Sequence, residues 1–367
     1  MVKRRLVLTG MAGLAITACT PSVWGQDAWG QDAWGQDAWG QDAWGQDGGT
    51  DSPGTDAARP SRERIDAMLS RAPDLGPVHT IIAAHNGTIV AERHYAGPSP
   101  DAPANIKSLS KTLLSALVGI AIDRGVIAGP DQPIVDLLGD RVPSDADPAI
   151  RRVTVDHLLS MRAGLERTSG SNYGRWVTSS DWVRFALSRP FVAEPGTALQ
   201  YSTGTWHILS EILTRQSGRT THELARDWLG EPLGVTIPPW PRDPRGIYFG
   251  GNDMLISPRG LLRFGEMYRN GGVVDGRQVV SRDWIETSWR PRAVSPFSNH
   301  AYGFGWFMTE LGGHIVYYGR GYGGQLLHVV PDLDLTVVIT SDPTPPSAGG
   351  QYVRALHRLV ESGLIEA

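Results

Sequence analysis

Short, mostly apolar runs rich in β-branched and aromatic residues lie within residues 78–91 and 302–340, whereas apolar residues between these regions recur at helical spacing. Such short runs predict strands, and spacings of three and four residues predict helices. Asn86-Gly87 separates two of the short runs and favours a tight hairpin turn. The predicted strands cover residues 78–84, 88–91, 302–308, 314–318, 325–330 and 335–340. The predicted helices cover residues 62–71, 105–124, 155–162, 181–188, 205–216, 222–229, 258–269, 281–288 and 352–361.

The order of these elements predicts an α+β fold, because strands come from both ends of the chain and helices from its middle. We expect an antiparallel sheet flanked by terminal helices, built from residues 62–125 and 290–367. A mostly helical lobe, at about residues 126–289, is inserted between the two halves of the sheet lobe. A cleft between two such lobes is a usual place for a binding or active site.

The first residues have the layout of an export signal. Basic residues at Lys3, Arg4 and Arg5 precede an apolar run over residues 6–18, which is too short to span a bilayer. Residues 1–19 therefore form a predicted signal peptide that ends in a lipobox-like sequence at Cys19. This ending predicts a lipidated, membrane-anchored periplasmic protein; the alternative is an incidental cysteine near an ordinary cleavage site.

A short repeat follows the signal. The unit Trp-Gly-Gln-Asp-Ala recurs from Trp24 onward, and its five-residue period matches neither a helix nor a strand. We interpret residues 20–61 as a low-complexity tether. Contact of its tryptophans with glycan or membrane is the alternative to a plain spacer.

Composition narrows the classes of function. A net charge of −4 provides no basic face, so we expect no nucleic-acid partner. Lysine occurs only at Lys3, Lys107 and Lys111, and arginine supplies the rest of the 34 basic residues. Arginine stays protonated, so a position that needs a neutral amine must keep lysine. The sequence has no His-Glu-x-x-His and no Gly-x-Ser-x-Gly motif, so we expect no metal, no cofactor and no α/β-hydrolase nucleophile elbow.

The first candidate for chemistry is Ser108-Leu109-Ser110-Lys111, near the start of a strongly apolar helix. Residues three apart share a helix face, so the Ser108 hydroxyl and the Lys111 amine can meet. Burial disfavours the protonated amine, and a neutral amine can act as a base. The alternative is a helix-capping serine beside a surface lysine.

Two further segments of the sequence support the interpretation of Ser108 and Lys111 as a catalytic pair. Residues 194–204 form a turn that brings Tyr201 and Thr203 to the start of the next helix. Residues 318–325 are glycine-rich and lead into a strand, and such glycines allow the backbone to approach a ligand closely. His207, in the helix after Tyr201, is interpreted as structural.

The three elements, in this order, resemble those of the serine β-lactamase-like hydrolases. This superfamily includes class C β-lactamases, penicillin-binding D-alanyl-D-alanine carboxypeptidases, esterases and 6-aminohexanoate-dimer hydrolases, and the resemblance covers residues 62–367. It implies a β-lactamase/transpeptidase-like fold, with Ser108 as the acylated nucleophile, Lys111 as its base and Tyr201 as the proton relay to the leaving group. The Ser108 N–H and one N–H from residues 321–323 would form the oxyanion hole. Residues implied to contact the substrate or its oxyanion are Tyr322, Gly323, Thr203, Tyr173, Arg320 and Asn252.

Two departures from the family pattern bear on the substrate. Thr203 stands where β-lactamases and peptidases carry Asn, and no Lys-Thr-Gly exists because no lysine follows Lys111. Arg320 either replaces the missing charge or is a surface arginine, and Tyr173 is either an auxiliary site tyrosine or a loop residue. We therefore expect a serine hydrolase acting on small esters or amides. The alternatives are a D,D-carboxypeptidase or β-lactamase, and a non-catalytic envelope binding protein on the same fold. The sequence does not indicate an oligomeric state.

Overall fold

The computed structural model describes residues 59–345 and 349–366. The predicted signal peptide, Cys19 and nearly all of the predicted tether lie outside these residues. Within the described ranges, no helix has the length and apolar character needed to cross a membrane.

An antiparallel sheet forms the centre of the molecule, and eight of its strands lie within the described residues. Its spatial order is β2-β1-β12-β11-β10-β9-β8-β7, so the N-terminal hairpin pairs with the last strand of the chain. The sheet strands are β1 (Val78–His85), β2 (Thr88–His94), β7 (Ala293–Val294), β8 (Ala301–Tyr302), β9 (Phe307–Leu311), β10 (His314–Gly321), β11 (Gln325–Val330) and β12 (Leu335–Ser341). Two small pairs lie outside it, β3 (Ala104–Asn105) with β4 (Leu255–Ile256) and β5 (Val273–Val274) with β6 (Arg277–Gln278).

Helices cover both faces of the sheet and fill the inserted lobe. They are α1 (Arg62–Leu75), α2 (Ser110–Asp123), α3 (Ile134–Leu138), α4 (Val155–Leu159), α5 (Tyr173–Val177), α6 (Trp182–Leu187), α7 (Thr203–Ser217), α8 (Thr221–Leu224), α9 (Glu231–Leu233), α10 (Pro258–Arg269), α11 (Arg282–Ser288) and α12 (Gly350–Val360). This arrangement confirms the predicted α+β fold with its antiparallel sheet and terminal helices.

The alternating directions of the β11 side chains show which face of the sheet α10 and α12 each cover. The His328 imidazole contacts His357 of α12, whereas the neighbouring Leu327 lies against Gly265 of α10. Successive strand residues point to opposite faces, so α12 and α10 cover opposite sides of the sheet. Helix α10 therefore packs on the sheet, although its sequence lies in the range assigned to the helical lobe.

Two predicted elements differ from the structure near the cleft. The helix predicted from residue 105 starts only at Ser110, because β3 and a 3₁₀ turn at Lys107–Leu109 precede it. Lys107 has φ 49°, which a continuous α-helix does not allow. The strand predicted over residues 302–308 is broken into β8 and β9 at a turn where Gly305 has φ 79°.

Candidate active site

Ser108 lies in the 3₁₀ turn between β3 and α2, and its side chain is partly exposed. The Lys107 N–H donates to the Asn105 Oδ1 at 2.9 Å, which closes the turn ahead of the serine. The Ser110 hydroxyl donates to the Lys107 carbonyl at 2.5 Å and accepts the Met254 N–H at 3.0 Å. Side chains therefore reinforce the backbone hydrogen bonds of the turn on both sides of Ser108.

The buried carboxylate of Asp253 anchors this turn to the helical lobe. Its side chain is only 1% exposed, and its Oδ1 accepts from the Lys107 Nζ at 3.0 Å and from the Asn105 Nδ2 at 2.9 Å. Breaking a buried ion pair by removing one partner typically costs about 3–5 kcal/mol. This ion pair fixes the position of Lys107, the residue immediately before Ser108.

Lys111 lies in the first turn of α2 and is only 3% exposed. Its Nζ donates to the Gly251 carbonyl at 2.8 Å and to the Thr203 Oγ1 at 3.3 Å. Both acceptors are neutral oxygens, in contrast to the carboxylate that binds Lys107. Gly251 has φ 75°, and a Cβ there would lie 2.9 Å from the Lys111 Cγ, so glycine is needed to bring this carbonyl to the amine.

Tyr201 and Thr203 approach Lys111 from the start of α7. The Lys111 Nζ lies 5.1 Å from the centroid of the partly exposed Tyr201 ring. The Thr203 N–H donates to the Ser169 Oγ at 3.1 Å, and the two hydroxyls are 3.2 Å apart. Thr203, at the position where the lactamases have Asn, therefore keeps a polar contact with the lysine.

The end of β10 lies directly against the serine turn because it carries glycines. A Cβ at Gly319 would lie 2.2 Å from the Leu109 Cδ1, and a Cβ at Gly321 would lie 2.2 Å from the Ile106 carbonyl oxygen. Tyr322 and Gly323 continue from this edge, and Gly323 has φ 79° in the turn to β11. The structure thus brings the predicted third element to the predicted nucleophile.

The remaining candidate residues surround this centre at different places. The Asn252 Nδ2 donates to the Asp253 Oδ2 at 3.2 Å, so Asn252 supports the anchor of the serine turn. Tyr173 begins α5, with its ring edge against Trp176 at a centroid distance of 5.9 Å. Arg320 lines a pocket whose wall includes Tyr201.

Burial keeps several groups of the sheet lobe in their neutral forms. It raises the pKa of the Tyr302 hydroxyl well above its usual range, and the nearby Tyr201 adds to the rise. Burial, followed by the charges of Arg320 and Arg354, lowers the pKa of His300 to about 4. Burial also lowers the pKa of His328 to about 3. At neutral pH these groups therefore contribute packing and hydrogen bonds rather than charge.

Sequence reasoning did not identify several residues that organise the site. These are Asn105, Lys107 as an ion-pair partner, Arg167, Ser169, Gly251, Asp253 and Phe297. The Gly251 atom that binds the lysine is a backbone carbonyl, which leaves no side-chain signal in the sequence. Among residues 59–345 and 349–366, no group of three or more His, Cys, Asp or Glu side chains could hold a metal ion.

Comparison with known proteins agrees with this geometry. A family model described as Beta-lactamase matches residues 77–361. The 6-aminohexanoate-dimer hydrolase of Paenarthrobacter ureafaciens is 26% identical over 77% of this chain and 79% of its own length. A putative β-lactamase structure from Bacteroides dorei has a TM-score of 0.69, with 17% identity over 83% of this chain and 99% of that one. A family VIII carboxylesterase structure has a TM-score of 0.66, with 18% identity over 83% of this chain and 98% of that one. The structural neighbours share the fold.

Proposed function

The chain belongs to the Beta-lactamase family, whose members are serine hydrolases, and on that premise we propose that it hydrolyses small esters or amides through an acyl-enzyme at Ser108. The observation that carries the proposal is the environment of Lys111, a buried amine bound to two neutral oxygens one turn after a partly exposed serine. Residues three apart across a 3₁₀ turn lie on the same side.

The donors and acceptors around Lys111 suit a base. A neutral amine has two N–H donors and one lone pair, and the Gly251 carbonyl and Thr203 hydroxyl accept from the donors. In this proposal the lone pair of the neutral amine accepts the Ser108 proton. Lys107, by contrast, forms an ion pair with the Asp253 carboxylate.

The proposed reaction follows the two-step acyl-enzyme course. The Ser108 Oγ attacks the substrate carbonyl as its proton passes to Lys111, and the oxyanion is bound by the Ser108 N–H and one N–H of residues 321–323. Tyr201 passes a proton to the leaving oxygen or nitrogen as its bond to the carbonyl breaks. Water then attacks the acyl-enzyme by the reverse proton path and releases the acid.

The strand beside the serine favours esters and amides over β-lactams. The penicillin-recognising enzymes carry Lys-Thr-Gly on the strand beside the serine, whereas this chain has no lysine after Lys111. The lysine and threonine that help hold a β-lactam carboxylate in those enzymes are therefore missing from this strand. The carboxylesterase and 6-aminohexanoate-dimer hydrolase relatives support the same preference.

The test compares hydrolysis of p-nitrophenyl butyrate and nitrocefin by the full chain and by Ser108→Ala. We expect ester turnover by the wild type, its loss in Ser108→Ala, and little nitrocefin cleavage. Ser99→Ala, at an exposed serine outside the site, is the matched control and should retain turnover. Rapid Ser108-dependent nitrocefin cleavage would instead support the β-lactamase or D,D-carboxypeptidase alternative. No Ser108-dependent turnover of either compound would support the non-catalytic envelope binding protein.

We also propose that the protein is exported to the periplasm and anchored through lipidated Cys19. The basic, apolar and lipobox-like order of residues 1–19 supports this proposal. Cys19→Ala should move the protein from the membrane fraction to the soluble fraction of the producing cell. An unchanged distribution would contradict lipidation at Cys19.

A further inference from the structure

Buried hydroxyl groups continue the chain of hydrogen bonds that begins at Lys111. The Lys111 Nζ lies 3.3 Å from the Thr203 Oγ1, and the Thr203 Oγ1 lies 3.2 Å from the Ser169 Oγ. The Ser169 Oγ also accepts the Thr203 N–H at 3.1 Å. Ser169 is 6% exposed and Thr203 is 4% exposed. The proposed base is therefore connected to Ser169 through the hydroxyl of Thr203.

One arrangement of the protons in this chain leaves the lysine lone pair free. When the Lys111 amine donates to the Thr203 Oγ1, the Thr203 hydroxyl must point its own proton elsewhere. Within the described residues, the side-chain atoms at hydrogen-bond distance from the Thr203 Oγ1 are the Lys111 Nζ and the Ser169 Oγ. The Thr203 hydroxyl therefore donates to the Ser169 Oγ. A serine oxygen has two lone pairs, so it accepts the Thr203 N–H as well.

Without the Ser169 hydroxyl, the same threonine would compete with the nucleophile for the base. A threonine hydroxyl rotates to suit its neighbours, and it is costly to bury without an acceptor. With no acceptor at Ser169, the Thr203 hydroxyl turns to donate to the lone pair of the neutral Lys111 amine. In the proposed reaction this lone pair takes the Ser108 proton, so the competing hydrogen bond would slow the attack on the substrate.

A separate pair of hydroxyls fixes the loop that carries Ser169 to the start of α7. The Thr168 N–H donates to the Ser202 Oγ at 3.1 Å, and the Thr168 and Ser202 hydroxyl oxygens lie 3.2 Å apart. The Thr168 Oγ1 also accepts the Gly204 N–H at 2.8 Å. These hydroxyls bond to each other and to backbone N–H groups of the loop and the helix. They hold the loop in place, whereas the Ser169 hydroxyl acts on the residue beside the lysine.

We infer that Ser169 is a positioning residue, whose hydroxyl accepts a hydrogen bond from the Thr203 hydroxyl and so keeps the Lys111 lone pair open to Ser108. This inference rests on the proposed function, in which Lys111 is the base. Because Ser169 acts through Thr203, its effect requires the Thr203 hydroxyl. Because it acts on the base, its removal slows the chemical steps more than it weakens substrate binding.

The test measures kcat and KM for p-nitrophenyl butyrate with the full chain and with Ser169→Ala. We expect kcat to fall about 10-fold, which lies between the effect of one neutral hydrogen bond and the full contribution of a general base. Since Lys111 acts in both steps of the proposed reaction, kcat/KM should fall by the same factor and KM should stay within about twofold of the wild type. Weaker substrate binding with an unchanged kcat would overturn the inference.

Ser202→Ala is the matched control. It removes a buried serine hydroxyl that also accepts a backbone N–H and pairs with a threonine across the same loop and helix. We expect Ser202→Ala to destabilise the fold about as much as Ser169→Ala and to keep kcat within about twofold of the wild type. An equal loss of kcat in both variants would show that the hydroxyls only hold the loop, and would overturn the inference.

A double-mutant cycle tests whether Ser169 acts through Thr203. Thr203→Val keeps the branched shape of the side chain and removes the hydroxyl that would donate to the lysine. In this background, Ser169→Ala should change kcat by less than about twofold, because the competing donor is already absent. A further loss of about 10-fold in the double variant would mean that the two residues act independently, which would overturn the inference.

The remaining outcomes separate this inference from the proposed function. If Ser169→Ala does not fold, Ser169→Cys replaces it, because a thiol is a weaker acceptor than a hydroxyl; an unchanged kcat in that variant would overturn the inference. An unchanged kcat in folded Ser169→Ala, with turnover that still depends on Ser108, would overturn the inference and leave the proposed function standing. Absence of Ser108-dependent turnover in the wild type would contradict the proposed function, and the inference would fail with it.

Discussion

His207 supports the lysine site through the backbone. It is fully buried in α7, and its Nε2 lies 3.0 Å from the Asp243 Oδ2. Its Nδ1 accepts the Gly250 N–H at 3.2 Å, so Nε2 carries the ring proton and donates to the carboxylate. The next residue, Gly251, provides the carbonyl that binds the Lys111 Nζ. A change at His207 should therefore lower the stability of the fold and also disturb the position of Lys111, the proposed base.

The size of the stability effect follows from what the substitution leaves unpaired. His207→Ala leaves the Gly250 N–H without its acceptor. An unsatisfied buried group typically lowers the free energy of unfolding by about 1–3 kcal/mol. The substitution also removes one partner of the buried Asp243 carboxylate, for which about 3–5 kcal/mol is typical. Asp243 keeps bonds from the N–H groups of Arg245 and Ile247 at 2.8 and 2.9 Å, which limits the loss. We expect the free energy of unfolding to fall by about 3–5 kcal/mol.

Two conservative variants test the two hydrogen bonds of His207 one at a time. His207→Asn places an amide oxygen near the Nδ1 position and can still accept the Gly250 N–H. His207→Gln places an amide nitrogen near the Nε2 position and can still donate to Asp243. Since the Gly250 bond holds the carbonyl beside Lys111, we expect the Asn variant to retain the wild-type pH profile of kcat/KM more closely than the Gln variant.

Urea unfolding of the full chain measures the stability loss, and p-nitrophenyl butyrate hydrolysis across pH measures the effect on the base. A loss below about 1 kcal/mol for His207→Ala would contradict the assignment of a buried, paired imidazole. Identical pH profiles for the Asn and Gln variants would contradict the connection through Gly250. If the Ala variant does not fold, the Asn and Gln variants still provide the comparison.

The remaining predictions concern the proton relay, the close strand approach and a buried histidine. Tyr201→Phe should lower kcat for the ester by about 10²–10⁴-fold with an unfolding free energy within about 0.5 kcal/mol of the wild type; an unchanged kcat would remove the tyrosine from the reaction. Gly319→Ala pushes a methyl group into Leu109, so it should lower the free energy of unfolding in urea by about 1–3 kcal/mol and reduce ester turnover. The control Gly129→Ala, with no atom within 4 Å of the new Cβ, should lower the free energy of unfolding much less. The pKa of His328 is lowered to about 3 by burial, so the unfolded chain binds more protons than the folded one between about pH 6.5 and 3, and stability falls as the pH decreases through this window. The loss at pH 5 relative to pH 7 should be about 2 kcal/mol from this residue, and a His328→Gln variant with an unchanged pH dependence of unfolding would refute the assignment.

The local pattern of apolar residues predicted most of the helices and strands. Helices α1, α7, α10, α11 and α12 and strands β1, β2, β10, β11 and β12 lie where the apolar pattern placed them, because helical spacing and short apolar runs depend only on near neighbours in the chain. The sequence did not predict the short helices α3, α5 and α9. Three to five residues are too few to show a period.

The two predicted elements near the site that differ from the structure do so because of contacts between distant segments of the chain. The helix before Ser110 is replaced by a turn because Asn105 and Lys107 bind Asp253, 146 or more residues along the chain. The 302–308 strand is interrupted because Gly305 packs against the Lys111 carbonyl in α2. Neither contact leaves a periodic signal in its own segment.

For the site, the sequence by itself determined which side chains have suitable chemistry: the serine and lysine three residues apart, the tyrosine before α7 and the glycine-rich edge of β10. Only the tertiary structure decided their surroundings. It gave Lys107 a carboxylate and Lys111 neutral oxygens, and it placed Arg167 and Arg320 around one pocket. The physical reason is that reactivity depends on burial and on partners, and folding brings those partners together from segments that are far apart in the chain.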